Sequence, residues 1–406
     1  MKLNRVAIAG EKMTSILVSL SIILTLAFLF SMIFKKIGFP SIVGQILAGM
    51  VLGVPALKIL LVGSEALSAL DLLSTLGIVF LLFLAGLEID VNRIKETTKD
   101  SIFIALGTTL TPLVLGFVLL VGMGYNLVVA IVFGGALAVT AGGTIVGILM
   151  DLNVCNTKLG AIFVAAGTID DVLEIFLLSI IVMLIHGGNL IEIALLPLEL
   201  ILFVAISFIL FKLMSKILPH LDKDKNDIEL FSIVVILLIG MAALSEILDI
   251  GYLVGAILAG FLLQLSMKKI GKKSAKEVLN TTRLVTLAFI VPFFFANIGL
   301  NFDVGLLFES PMLTIIAVTI AIGSAIMGAV LTKPFSSLSF RQLYIVGWAM
   351  SSKGSVEMVI ALLARKYGLL PPEIFSALVA MAIITTLAFP FILKREIGKN
   401  FAIMNA

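Results

Sequence analysis

The sequence predicts an all-α polytopic membrane protein: about thirteen transmembrane helices, two inverted-topology repeats, and two broken helices that cross. Three observations carry this. Of the 406 residues, 61% are hydrophobic and 13% charged, against about 25% charged in a soluble domain. Motifs of the first half recur in the second at a nearly constant offset. Polar, glycine-containing interruptions stand at matching places inside two apolar segments.

Each span follows from an apolar run of roughly 20 residues, the length that crosses a bilayer, bounded by charge, Gly or Pro. The runs lie at 13–34, 39–54, 68–87, 101–122, 126–150, 157–185, 189–216, 227–247, 250–267, 281–300, 311–335, 342–364 and 372–393. The first is long enough to span and reads as a helix, not as a cleavable signal. The second and ninth are short and Gly-rich, and are expected to tilt or break. An odd count places the termini on opposite sides. Alternating loop assignment puts twenty of the 28 Lys and Arg with the C-terminus and six on the other side, with Lys333 and Lys353 inside spans. The positive-inside rule then makes the protein multi-pass in the cell (plasma) membrane, N-terminus outside and C-terminus cytoplasmic. The Lys268–Lys276 cluster reads as a cytoplasmic loop.

Val43-Gly44-Gln45-Ile46-Leu47-Ala48-Gly49 recurs as Val254-Gly255-Ala256-Ile257-Leu258-Ala259-Gly260. Gly86-Leu87-Glu88-Ile89-Asp90-Val91 is echoed by Gly299-Leu300-Asn301-Phe302-Asp303-Val304. The second segment therefore maps onto the ninth and the third onto the tenth. A shift of seven segments inverts the second copy in the membrane, the arrangement of many secondary transporters. The same shift carries the fifth segment onto the twelfth. The fifth holds Thr140-Ala141-Gly142-Gly143-Thr144 and the twelfth Ser351-Ser352-Lys353-Gly354-Ser355. Such stretches let a helix unwind, which frees carbonyls for a cation and opposes half-helix dipoles. Irregular backbone at that depth is tolerated only where it is buried in protein or lines a cavity.

Asp170 and Asp171 lie in the middle of the sixth segment, where Glu174 is the one further charge between Lys158 and His186. One carboxylate at bilayer depth costs roughly 2.5–3.5 kcal/mol on insertion scales. A pair of them points to handling of cations or protons; a helix–helix salt bridge would account for one and not its neighbour. Glu174 extends the acidic site or pairs with a lysine. Lys353 lies midway between Arg341 and Arg365, too deep to snorkel. It neutralises carbonyl ends of the broken helices or pairs with a carboxylate, Glu357 being the candidate one turn on. Lys333, followed by Pro334, either snorkels or is drawn inside. Desolvation and a neighbouring like charge favour the protonated carboxyl, and a lysine partner favours the ionised one. A carboxylate balanced in this way can hold a proton at one moment and a small cation at another. Hard monovalent ions such as Na⁺ suit carboxylate, hydroxyl and carbonyl oxygens, so Asp171, Asp170, Thr140 and the carbonyls around Ala141 form the candidate ion site.

Other chemistries find little support. One cysteine, Cys155, excludes an intramolecular disulfide framework and a Cys-based metal cluster. His186 and His220 are too far apart for a metal site. No phosphate-binding G-x-x-x-x-G-K-[ST] loop occurs, so ATP-driven pumping has no basis. The chain is expected to be a transporter rather than an enzyme, with no cofactor and no nucleic-acid partner.

Asp-Asp in the sixth segment, Lys-Pro in the eleventh, Thr-Ala-x-x-Thr in the fifth and Lys-Gly in the twelfth resemble the cation:proton antiporter superfamily. The match is closest to its electrogenic sodium/proton branch, with Kef-type potassium/proton systems as neighbours, and it covers essentially the whole chain. The resemblance implies a sodium/proton antiporter-like fold, a homodimer and a role in pH homeostasis. It implies one Na⁺ (or Li⁺) exchanged for two protons, with Asp171 as the principal carboxylate. It implies an Asp170–Lys333 salt bridge made and broken in the cycle, and Thr140 at an unwound crossing with Ala141, Gly142, Gly143, Ser352 and Gly354. Thr144 and Ser351 are possible accessory groups, as is Glu174. Within a single unit spanning 1–406, it implies a core domain about 99–185 and 311–393. A dimerisation domain about 13–88 and 227–300 and a linker helix about 189–216 complete an elevator. Many relatives read Arg-Gly-Glu where this chain has Lys353-Gly354-Ser355, and a small residue where Glu174 stands. The chain ends soon after its last span, without the nucleotide-binding domain of many Kef-type proteins, which favours sodium over potassium. The alternatives are a K⁺/H⁺ antiporter, a sodium-coupled solute symporter and an ion channel.

Overall fold

A computed structural model describes residues 16–89, 99–141, 145, 148–150, 152, 154, 157–185, 190–224, 227–248, 250–399 and 401–404. Its regular elements are helical throughout. In chain order they are α1 (Ile16–Lys36), α2 (Ser41–Gly53), α3 (Pro55–Leu61), α4 (Ser64–Glu88), α5 (Lys99–Gly122) and α6 (Leu127–Ala138). There follow α7 (Lys158–Ile185), α8 (Leu190–Asp224), α9 (Asp227–Ile247), α10 (Tyr252–Met267), α11 (Lys272–Val285) and α12 (Val291–Leu300). The last are α13 (Val304–Glu309), α14 (Pro311–Leu331), α15 (Phe340–Met350), α16 (Val356–Lys366) and α17 (Pro372–Lys399). Among the described residues, eight helices are long and apolar enough to cross a membrane, or nine if the bent pair α2 and α3 is one span. Large apolar side chains stay exposed along them, for example Ile201 at 67% and Ile236 at 68%. A water-soluble protein would bury most such side chains; a bilayer solvates them.

Several expected segments differ in detail. The second is α2 and α3, bent by 89° at Val54. Pro55 opens α3 and, having no N–H, cannot continue the α2 ladder. The tenth reaches back to Lys272, so the basic cluster is only partly a loop. Its second half is α11, which buries Val278 and Thr282 one turn apart and turns its lysines outward. A π-helical turn at Thr286–Ile290 joins α11 to α12. The wider turn absorbs Pro292, whose ring would clash with an α-helical carbonyl. The fifth and twelfth segments are interrupted where expected: α6 stops at Ala138 and α15 at Met350, with α16 resuming at Val356.

The chain divides into two compact units, Met1–Ile78 with Leu284–Asp303 and Val79–Arg283 with Val304–Ala406. In the first, α2 lies against α12. A Cβ on Gly49 would strike the Ala296 carbonyl, and one on Gly299 the Ile46 carbonyl. The core there is Ile23, Leu52, Leu70, Phe293, Ala296 and Leu300. In the second unit, the C-terminal part of α4 meets α10 in the same way: Gly260 abuts the Phe83 carbonyl and Gly86 the Ile257 carbonyl. Gly49 and Gly260 are equivalent in the repeat, as are Gly299 and Gly86. Each pair of motifs thus builds the same glycine seam twice. Apolar helices gain nothing from water exclusion in lipid, so close backbone approach is their means of association. Gly86→Val is expected to destabilise the protein by about 1–3 kcal/mol through overpacking, read as a lower melting temperature in detergent. An unchanged melting temperature would mean that the seam opens freely.

Candidate functional site

The site lies in the second unit, where the two helix breaks meet α7. The breaks bond directly: the Ala141 N–H donates to the Ser352 carbonyl at 2.9 Å. The Thr140 hydroxyl donates to the Met350 carbonyl at 3.1 Å. Gly354 has no room for a side chain, since a Cβ there would come within 2.7 Å of the Ala141 Cβ. Of the fifth-segment residues expected here, Gly142, Gly143 and Thr144 lie outside the described residues, as do Cys155 and His186. Ser351 and Ser352 are buried. Ser351 donates back to the Trp348 carbonyl, and the buried Ser352 hydroxyl has no partner among the described residues.

Unwinding α6 strands backbone groups that water cannot reach, and unpaired buried groups are costly. Side chains from other elements take them up. The Lys353 ammonium, 0% exposed, donates to the Leu137 and Val139 carbonyls at 2.6 Å each. The Thr140 N–H donates to Glu174 Oε1 at 2.7 Å. On α17, Thr386 donates its hydroxyl to the Lys353 carbonyl at 2.8 Å. The cationic ammonium therefore sits at the negative, C-terminal end of α6, and a carboxyl accepts from the amide just beyond. Of the two roles open to Lys353, the structure selects the first. Its ammonium satisfies carbonyl ends and forms no ion pair with Glu357 among the described residues.

Asp170 and Asp171 share one turn of α7 yet meet different surroundings. Asp170 is 1% exposed and accepts a hydrogen bond from the Thr109 hydroxyl of α5. The Thr140 side chain is also within its reach; with one hydroxyl proton, Thr140 serves Asp170 or Met350, not both. Asp171 is part-buried, and its charged neighbours include Asp170, Glu88 and Glu174. Of the pair, Asp171 is therefore the more exposed carboxyl and Asp170 the buried, hydrogen-bonded one. Glu88, at the end of α4, pairs with Arg283 of α11 at 3.6 Å.

No Asp170–Lys333 salt bridge is present in this conformation among the described residues. Lys333 lies in a short 3₁₀ turn, Lys333–Phe335, just beyond α14. Its ammonium donates to the Leu338 carbonyl at 2.7 Å and sits 5.8 Å from the centre of the Phe340 ring. Pro334 prevents the helix from running on, so Lys333 is held at a helix end and caps the turn that follows. Sequence reasoning also missed Thr109, Thr386 and Glu88. Thr109 belongs to the polar run Thr108-Thr109 within an apolar span, a signal like the one that singled out Thr140. Glu88 stands inside a recurring motif, and its approach to Asp171 is a matter of tertiary packing.

Residues 22–395 match the family described as sodium/hydrogen exchanger, transmembrane. A Na(+)/H(+) antiporter of Enterococcus hirae is 29% identical over 388 residues, covering 94% of this chain and 98% of its own. The Na(+)/H(+)-K(+) antiporter GerN of Bacillus cereus is 27% identical over 371 residues, covering 91% and 93%. Among solved structures, the sodium proton antiporter MjNhaP1 from Methanocaldococcus jannaschii at pH 8 superposes with a TM-score of 0.72. It has 19% sequence identity and covers 95% of this chain and 96% of the other. At that identity the likeness concerns the fold.

Proposed function

Because the chain belongs to the transmembrane sodium/hydrogen exchanger family, we propose that it is a secondary antiporter, not an enzyme, exchanging Na⁺ or Li⁺ for H⁺ across the plasma membrane. The observation that carries this reading is the part-buried Asp171 beside an anchored Asp170, at a crossing whose freed carbonyls are already held by Lys353. A site so arranged puts one part-buried carboxylate on the helix that meets a break carrying hydroxyl and carbonyl oxygens. Those are ligands for a hard monovalent cation. A proton and a cation compete for Asp171, and that competition couples their fluxes. Asp170 orients the pair through Thr109, and Thr140 supplies an oxygen at the break.

Alternating access is carried by the segments at about 99–185 and 311–393, in a homodimer of thirteen-span protomers with the C-terminus cytoplasmic. The excess of Lys and Arg in loops on the C-terminal side supports that orientation. A second reading, K⁺/H⁺ exchange, is favoured by the similarity to GerN, whose name includes potassium. Proteoliposomes with an internal pH dye, given Na⁺, Li⁺ and K⁺ in turn against an imposed pH gradient, separate the two. Dissipation of the gradient by Na⁺ and Li⁺ is expected. A response to K⁺ alone would replace the sodium reading.

A further inference from the structure

Four carboxyl groups share this site with Lys353, the one base facing them among the described residues: Glu357, Asp170 and Glu174 face it, and Asp171 faces Asp170 and Glu174. One lysine and one monovalent cation can compensate only two of them. Three of the acids are fully buried. Asp170 accepts from Thr109 and Glu174 from the Thr140 amide. Glu357, in the first turn of α16 and 1% exposed, has no such donor among the described residues. Its oxygens lie near the amides of Gly354 and Glu357 itself, but neither makes a hydrogen bond of acceptable geometry. The charged groups facing it are Lys353 in the break and Glu174 on α7. The other helices packed on α16, α6 and α17, contribute no charge to its surroundings. The Lys353 ammonium, one turn earlier, is committed to the carbonyls of Leu137 and Val139. An ionised carboxylate with no bond and no ion pair is not stable in such a place.

Resting on the exchange reading above, we propose that Glu357 is a proton carrier of the transport cycle, holding the second proton while Asp171 holds the first. In this conformation Glu357 is a neutral carboxyl. When a sodium ion enters, the O–H bond of Asp171 breaks, its proton leaves to solvent, and the carboxylate takes the ion. The O–H bond of Glu357 breaks as well and its proton follows. Lys353 then leaves the α6 carbonyls to pair with the new carboxylate, which already faces it from the first turn of α16. Two protons leave and one sodium ion arrives, so each turnover moves one net charge. The mobile ion pair is then Lys353–Glu357, and Lys333 stays at its turn.

Purified full-length protein in detergent tests this through the protons released per sodium ion bound, measured by titration calorimetry in buffers of different ionisation enthalpy. Reversal potentials in proteoliposomes supply the transport readout. E357Q, isosteric with the neutral carboxyl, is expected to release one proton fewer per sodium and to lose the net transport current while sodium still moves protons. E357D is expected to restore both. A wild-type proton count and reversal potential in E357Q would overturn the proposal. So would a folded, sodium-binding E357Q and E357D that both fail to exchange, since the group would then be structural. Absence of sodium/proton exchange in the wild type would overturn the antiport reading instead.

Discussion

Asp171→Asn reduces sodium-driven proton movement to the leak of empty liposomes, while the protein still inserts and runs as a single species on size exclusion. The amide keeps the shape of the carboxyl and loses both the proton it exchanges and the charge that draws the cation. Asp171 is part-buried and accepts no hydrogen bond among the described residues on which the crossing relies, so the fold should tolerate the change. Its neighbour differs. Asp170 accepts from Thr109, so Asp170→Asn disturbs the packing of α5 on α7 as well as ion binding. Proteoliposome flux with sodium binding measured in parallel distinguishes the two variants. Exchange retained in Asp171→Asn would remove this residue from the mechanism and leave the acids as structural groups.

The second large effect is on stability. Lys353→Met preserves volume and removes the ammonium that satisfies the Leu137 and Val139 carbonyls. It also removes the base that faces Glu357, Asp170 and Glu174. Breaking a buried charge arrangement by removing one partner costs about 3–5 kcal/mol. The expected result is poor recovery from membranes and a much lower melting temperature in detergent. Lys333→Met, by contrast, loses a bond to the Leu338 carbonyl at a part-buried turn, worth about 1.5–3 kcal/mol for a charged donor. If Lys333→Met proved the more damaging to stability, the roles assigned to the two lysines would be reversed.

The breaks in the fifth and twelfth segments were legible because glycine, hydroxyl and charge interrupt apolar runs at equivalent places in a repeat. The repeat itself was legible in Gly49, Gly86, Gly260 and Gly299, each recurring inside a near-identical motif. Their purpose was not. That Gly49 meets α12 and Gly260 meets α4 depends on which helices become neighbours, and one helix's sequence does not state its partner. That Lys333 and Asp170 form no pair in this conformation, among the described residues, has a related reason. Periodicity says which face of a helix a side chain occupies, and Lys333 lies past the end of α14, where periodicity no longer applies.

Composition, the spacing of apolar runs and the recurrence of short motifs by themselves determined a membrane protein with inverted halves, interrupted helices and acids at bilayer depth. These properties are local: each follows from the cost of exposing a given side chain or backbone group to lipid. Only the tertiary structure decided that Lys353 reaches carbonyls 216 and 214 residues away, that Glu174 accepts from the Thr140 amide, and that Glu357 has no donor among the described residues. An unwound segment has no fixed period, so its freed groups can be satisfied from any direction. Which side chain arrives depends on how distant helices pack around the gap.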